Sequence, residues 1–88
     1  MDLATVLTKN PEAAYRTYDG QATVVLPGRS EINVLNEIGS LIWERIDGER
    51  TVGQILEAVI ETYEIDSDRA HTDVLGFLSS LQEHGMVT

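Results

Sequence analysis

The chain contains no cysteine, which excludes disulfide bonds, thiolate zinc sites and thiol nucleophiles. It also has no stretch near the ~18 apolar residues that a membrane-spanning helix needs. Its N-terminus lacks the basic start and long apolar run of a signal peptide. The core must therefore be held together by packing, and we expect a cytoplasmic protein.

Basic residues are scarce. Six Lys and Arg stand against fifteen Asp and Glu, which gives a formal net charge of −9. Nucleic-acid affinity comes largely from basic side chains that neutralise phosphates, and binding to anionic membranes depends on the same charges. The composition therefore argues against both nucleic acid and membrane surfaces as partners.

The length of 88 residues suits one small domain with a single core and is too short for a two-domain enzyme. Hydrophobic residues make up 42% and charged residues 24% of the chain, as in ordinary globular domains. Residues 1–12 show no sustained pattern and contain Asn10-Pro11 near their end. We expect a flexible N-terminal lead-in over residues 1–12 and a single domain over residues 13–88.

Three short strands are predicted in the first part of the domain. Residues 14–18 are rich in β-formers and run into Asp19-Gly20, a pair typical of tight hairpins, and residues 21–26 form the returning strand. Pro27-Gly28 indicates a type II turn before a third strand over residues 31–35. The pattern predicts a β-meander, whose two edge strands carry unpaired backbone groups.

Three helices are predicted after the strands. The first begins after Asn36 as N-cap and ends at Asp47-Gly48, and Thr51 and Gln54 form a capping box that opens the second. The second has an unbroken apolar stripe at helical spacing, made by Val52, Ile55, Leu56, Val59, Ile60 and Tyr63.

The third helix is predicted to start at residues 66–68 and to end at His84-Gly85. Its apolar stripe consists of Ala70, Val74, Phe77, Leu78 and Leu81. Three strands followed by three helices, with no repeat or linker between them, give an α+β domain.

Residues that could carry catalysis or hold a metal are hard to assemble. His71 and His84 lie thirteen residues apart, which is not the i, i+4 spacing that directs two ligands at one metal. The segment 66–68 begins like a calcium loop, but Ala70 and the residue after it stand where further ligands are needed, so helix capping is favoured. No nucleophile elbow or phosphate loop is present. We expect no catalytic residues, no metal and no cofactor.

Two segments carry a family resemblance. Residues 35–43 have the pattern Leu-Asn…Gly…Ile-Trp, and residues 46–55 contain Asp-Gly-x-Arg-Thr. Together they resemble the pyrroloquinoline quinone synthesis protein D (PqqD) family, and the match in kind and order extends over about residues 13–88. The resemblance implies a winged-helix-like domain of three strands and three helices.

Such domains resemble RiPP recognition elements, which serve in making ribosomally synthesised and modified peptides. The resemblance implies a protein without catalytic activity that binds the leader segment of a precursor peptide. It implies that the leader is presented to a modifying enzyme, commonly a radical S-adenosylmethionine enzyme. Nothing in the sequence indicates that the product is pyrroloquinoline quinone.

By position, the resemblance implies that the leader adds as a strand to the third strand of the sheet and lies beside the third helix. This mode of binding is compatible with the predicted free edge. The implied peptide-binding residues are Glu31, Ile32, Asn33, Val34 and Leu35 on the strand and Arg69, Asp73, Gly76 and Phe77 on the helix.

Two other functions fit the predicted fold. One is an adaptor that docks only on a partner enzyme and makes no peptide contact. The other is DNA binding by a winged helix, in which the third helix would enter the major groove. Residues 66–84 carry only Arg69 against four acidic residues, a net charge of −3 where a positive surface is needed, so DNA binding is disfavoured.

Overall fold

The computed structural model describes residues 1–26, 28 and 32–88. Its elements are β1 (Ala14–Tyr18), β2 (Gln21–Val25), β3 (Ile32–Val34), α1 (Glu37–Arg45), α2 (Val52–Tyr63) and α3 (Ser67–Glu83). The predicted α+β domain, with three antiparallel strands followed by three helices, is confirmed.

The sheet has the order β1-β2-β3, with both pairs antiparallel. Asp19 and Gly20 connect β1 to β2 with φ angles of 53° and 77°, the positive values that a type I′ hairpin turn requires. The predicted third strand over residues 31–35 is shorter in the structure. Leu35 follows it and donates its N–H to the carbonyl of Ala22 at 2.8 Å, and Glu31 lies outside the described residues.

The two faces of the sheet differ in burial. Ala22 and Val24 are fully buried against the helices, whereas Thr23 and Val25 are only half-buried on the opposite face. Ile32 and Val34 pair with Val25 and Thr23 respectively, so they share that outer face. The helices therefore cover one face of the sheet and leave the other to solvent.

The caps predicted for the helices are present. The Asn36 side chain accepts from the N–H of Gly39, Thr51 and Gln54 form the capping box, and Asp66 accepts from the N–H of Arg69. The first helix ends at Arg45 rather than at Asp47-Gly48, because Ile46 already has extended backbone angles.

The core forms where the sheet meets the helices. Trp43 is fully buried, and its ring meets that of Tyr15 edge to face at 5.4 Å. Buried Ser40 ties α1 to the sheet, since its Oγ accepts from Ala22 N–H at 2.7 Å and donates to the Leu35 carbonyl at 3.3 Å. These bonds fix the end of β3 relative to α1.

The N-terminal segment, residues 1–12, contacts the helices and the C-terminus. Leu7 is 2% exposed within the core. The Val52 N–H bonds to the Thr5 carbonyl at 2.8 Å, and Thr8 and Thr88 exchange backbone hydrogen bonds at 3.3 and 2.9 Å. The segment has no apolar period because it lies extended across the first turn of α2 and the C-terminus, where a single side chain enters the core.

Among the helices of the described residues, none has both the length and the hydrophobicity of a membrane span.

Candidate functional site

The free edge of β3 is the first element of the site. Leu35 donates its N–H to the Ala22 carbonyl, so these two opposite residues form a hydrogen-bonded pair. Along two antiparallel strands, hydrogen-bonded residue pairs alternate with pairs that are not hydrogen-bonded. The backbone groups of Asn33 therefore point to β2, and those of Ile32 and Val34 point to the open edge. Four backbone groups, two N–H and two C=O, are directed away from β2 at these two residues.

The same two residues expose their side chains. Ile32 is 67% and Val34 is 63% exposed, although β-branched apolar residues favour buried surfaces. The edge of β3 thus presents both unpaired backbone groups and apolar side chains. An added strand would form hydrogen bonds with the backbone groups and cover part of the apolar surface.

A groove runs between β3 and α3, and we call it the β3–α3 groove. Its larger hollow has a volume of about 500 Å³ and extends down to α1 and α2. This size falls in the range of roughly 300–1,000 Å³ that is typical of ligand pockets. Residues from both walls line it, among them Leu35, Asn36, Gly39, Asp73, Val74 and Phe77.

A smaller hollow of about 120 Å³ continues the groove toward the C-terminal end of α3. Asn33 lines it together with Ser80 and His84, whereas Leu35 and Phe77 line both hollows. Since earlier β3 residues face later α3 residues, the strand and the helix run in opposite directions along the groove. Phe77 stands between the two hollows.

Residues 22–87 match the family model of Coenzyme PQQ synthesis protein D (PqqD). That match covers 66 of the 88 residues. The chain belongs to the PqqD family. No curated protein gives a significant match to it.

Two solved structures share the fold of this PqqD-family chain. One is TbiB1 in complex with the TbiA(beta) leader peptide, 18% identical, with 91% of this chain and 93% of that chain covered at a TM-score of 0.83. The other is a lasso peptide synthetase B1 complexed with the leader peptide, 21% identical, with 96% and 99% covered at a TM-score of 0.83.

The structure brings most of the predicted site residues of the PqqD-family chain to the groove. On the strand side, Asn33, Val34 and Leu35 line the hollows, and Ile32 lies on the free edge. Glu31 lies outside the described residues.

On the helix side, Asp73 and Phe77 line the larger hollow. Arg69 and Gly76 are exposed on α3 and line neither hollow. Arg69 forms an ion pair with Asp73 at 3.6 Å between Nε and Oδ2. The predicted helix residues therefore divide into two that line the groove and two that are exposed outside its lining.

Sequence reasoning missed several groove residues. Counted from Asp73, the residues Phe77, Ser80 and His84 lie at i+4, i+7 and i+11. This is helical spacing, so all four lie on the same side of α3 and its C-cap. This spacing is visible in the sequence, although His84 also stands at the predicted end of the third helix. The walls contributed by Ile38 and Ile65 carry no such signal, because their position depends on how the helices pack.

Among the described residues that line the hollows, Asp73 and His84 are the titratable ones, and they line different hollows. In the described part of the chain, no group of three His, Asp or Glu residues is placed to hold a metal ion. The His84 ring lies 2.8 Å through Nδ1 from the Ser80 carbonyl, at the C-terminal end of α3. The arrangement offers backbone pairing and apolar contact.

The displaced pKa values belong to groups outside the groove walls. Desolvation lowers the pKa of Lys9, which sits 5.0 and 5.3 Å from the ring centroids of Tyr15 and Trp43. Hydrogen bonds from the N–H groups of Arg50 and Glu49 lower the pKa of the Asp47 carboxyl. Both groups belong to the scaffold.

Proposed function

We propose that this protein is a peptide-recognition element without catalytic activity, which binds the leader segment of a ribosomally synthesised precursor peptide. The leader adds as a fourth strand to β3 and places alternate side chains in the β3–α3 groove. The observation that carries the proposal is the pair Ile32 and Val34, whose outward backbone groups lie beside the apolar hollows. The leader peptides bound to the two structural relatives support it.

The proposed contact suits a transient complex. About four backbone hydrogen bonds contribute about 1 kcal/mol each, and one or two apolar anchors add to them before ordering costs are subtracted. The resulting dissociation constant is in roughly the micromolar range. A complex of this strength releases the leader fast enough for it to be handed to an enzyme.

The proposed site comprises Ile32, Asn33, Val34 and Leu35 on the strand side, with Glu31 preceding them outside the described residues. On the helix side it comprises Asp73 and Phe77 in the walls, together with Arg69 and Gly76 on the exposed surface of α3. We propose a modifying enzyme, such as a radical S-adenosylmethionine protein, as the second partner that receives the presented peptide.

DNA binding through α3 is not supported by the charges. Residues 66–84 include Arg69 as the basic residue against Asp66, Asp68, Asp73 and Glu83. A helix in the major groove would bring these carboxylates to the phosphates.

A titration of the isotope-labelled protein with the precursor peptide encoded beside its gene tests the proposed function. We expect the amide signals of residues 32–35 and of the groove face of α3 to shift, while those of β1, at the opposite edge of the sheet, stay in place. A scrambled peptide of the same composition is the control. The absence of shifts along β3 at about 500 µM peptide would exclude leader binding of the proposed strength.

If the modifying enzyme binds the protein while the precursor peptide does not, the protein is an adaptor for the enzyme alone. In that case, adding the enzyme would not produce binding of the peptide to the protein.

A further inference from the structure

One charged side chain stands at the mouth of the larger hollow. Among the described residues that line it, Asp73 is the ionisable one, and the others are apolar or neutral. Its side chain is 67% exposed, so its carboxylate is at the rim and not on the apolar floor. A peptide side chain that enters the hollow must pass close to this carboxylate.

The carboxylate of Asp73 has acceptor capacity to spare. Its contact with Arg69 is long, at 3.6 Å, and the Arg69 side chain is 79% exposed. Exposed pairs of this kind hold weakly, and an ionised carboxylate offers about four lone-pair sites. A cation delivered by a bound peptide can therefore share Asp73 with Arg69 or displace it.

Apart from Arg69, the charged residues that flank the larger hollow in the described part of the chain have the same sign as Asp73. Glu37 opens α1 between two residues that line the larger hollow, and Asp66 and Asp68 lie at the start of α3. The whole chain carries a formal net charge of −9. A field of this sign attracts cationic peptides and repels acidic ones, within the range that salt allows.

Two basic residues of the chain are engaged elsewhere. Lys9 lies over the rings of Tyr15 and Trp43. Arg50 pairs with Asp47 at 2.7 Å. Among the described residues around the larger hollow, acidic side chains therefore outnumber basic ones, with Arg69 as the basic neighbour of Asp73.

We propose that Asp73 determines specificity for leaders that carry a Lys or Arg two positions from the apolar residue that fills the larger hollow. This inference rests on the proposed function. In an added strand, side chains on the same face recur about every 6.6–6.8 Å, so the cation lies two positions from the apolar anchor. Its long stem reaches along the rim of α3 to Asp73 while its charge stays in water.

Selection from a displayed library of random twelve-residue peptides tests this specificity. The wild-type protein should enrich peptides with Lys or Arg two positions from a large apolar residue. Asp73→Asn should lose the preference for the cation but keep that for the apolar residue, and Asp73→Lys should enrich Asp or Glu at the same position. Glu61→Gln, an equal change of charge on the exposed face of α2, is the matched control and should select as the wild type does.

A selected peptide then gives a quantitative test. Replacing its Lys or Arg by Gln should weaken binding to the wild type roughly two- to fivefold and leave binding to Asp73→Asn unchanged. The difference should shrink in high salt, because exposed charges are screened.

The outcomes separate the two proposals. If the library yields β3-binding peptides with no charge preference, or if Asp73→Asn and Glu61→Gln behave alike, the role of Asp73 is overturned and the proposed function stands. If no peptide is enriched and the natural precursor does not bind, both proposals are overturned.

Discussion

The ring of Phe77 lies against the backbone of Gly39, so closely that a Cβ at position 39 would be 3.1 Å from Phe77 Cζ and 3.1 Å from Asn36 Oδ1. Gly39 is the glycine within the Leu-Asn…Gly…Ile-Trp pattern of the sequence. Its missing side chain lets α3 bring Phe77 over α1. There the ring separates the two hollows of the β3–α3 groove.

Gly39→Ala should therefore disturb the groove. Alanine in place of a helical glycine normally stabilises by about 0.5–1 kcal/mol, but at position 39 the added methyl must displace the ring of Phe77. We expect no gain in the free energy of unfolding and a loss of peptide affinity of roughly tenfold. Chemical denaturation and calorimetric titration measure the two effects.

Gly76→Ala is the matched control for stability, because a Cβ at position 76 meets nothing within 4 Å. It should raise the free energy of unfolding by about 0.5–1 kcal/mol. An equal stabilisation by Gly39→Ala would show that Phe77 yields without cost and that this contact does not shape the groove.

Proline substitutions in β3 test the orientation of its backbone groups. The N–H of Val34 points to the free edge, so Val34→Pro should weaken peptide binding by about tenfold or more, through the lost donor and the added ring. The melting temperature should change by only a few degrees. The N–H of Asn33 points to β2, so Asn33→Pro should instead destabilise the fold.

Thermal denaturation followed by circular dichroism, together with peptide titration, distinguishes the two variants. Equal unfolding by both would mean that the edge at Val34 is not free. Equal retention of binding would mean that the peptide does not pair with β3.

The strands and helices could be predicted from the sequence because each has a local physical cause. Asp19-Gly20 specifies a hairpin turn, Asn36 and Asp66 are N-caps, and Thr51 with Gln54 closes a capping box. Alternation places Ile32 and Val34 on one face of β3. What alternation alone leaves open is which backbone groups face the edge, since this depends on the register with β2. The sequence alone therefore does not show whether the N–H of Asn33 or that of Val34 points to the edge.

The groove was only partly predictable. Asp73 and Phe77 came from the family resemblance, and Ser80 and His84 could have been added from their helical spacing. The apolar walls at Ile38 and Ile65 arise from the way the helices pack, which no local sequence pattern encodes. Residues 1–12 show no periodic pattern, and Leu7 is the one residue among them that is buried in the core.

Leu7→Ala tests whether the N-terminal segment belongs to the folded core. Leu7 is 2% exposed, so its truncation should cost about 2–4 kcal/mol in the free energy of unfolding. Val6→Ala, at a neighbouring residue that is 42% exposed, should cost under about 1 kcal/mol. Denaturant titrations of both variants give the comparison, and similar small losses would mean that the segment is dispensable.

Gly48→Val tests the backbone strain in the loop after α1. Gly48 has a φ of 78°, and a Cβ there would lie 3.1 Å from Thr8 Cγ2. A β-branched residue is disfavoured at such a φ, so we expect a loss of about 1–2 kcal/mol or more in the free energy of unfolding. Gly48→Asn, which tolerates the left-handed region better, should lose less. An unchanged melting temperature for Gly48→Val would contradict this backbone geometry.

Asp47 shapes the same loop and makes its stability depend on pH. Its carboxylate accepts hydrogen bonds from the N–H groups of Arg50 and Glu49 at 2.8 and 2.9 Å and pairs with the Arg50 guanidinium at 2.7 Å. These contacts favour the ionised form and lower the pKa of Asp47 below its ordinary value in the unfolded chain, about 3.9. The stabilisation is therefore fully present above about pH 5 and is lost as pH falls through the lowered pKa.

Asp47→Asn keeps an acceptor oxygen but removes the charge. Its melting temperature should lie below that of the wild type at pH 7, and the gap should close progressively as the pH drops below about 4. Glu49→Gln, an equal change of charge at an exposed neighbour, is the control for general acid effects. Melting curves recorded between neutral and strongly acidic pH measure the gap. A gap that stays constant over this range would mean that Asp47 acts through its shape alone, because only a titrating carboxylate can make it vanish.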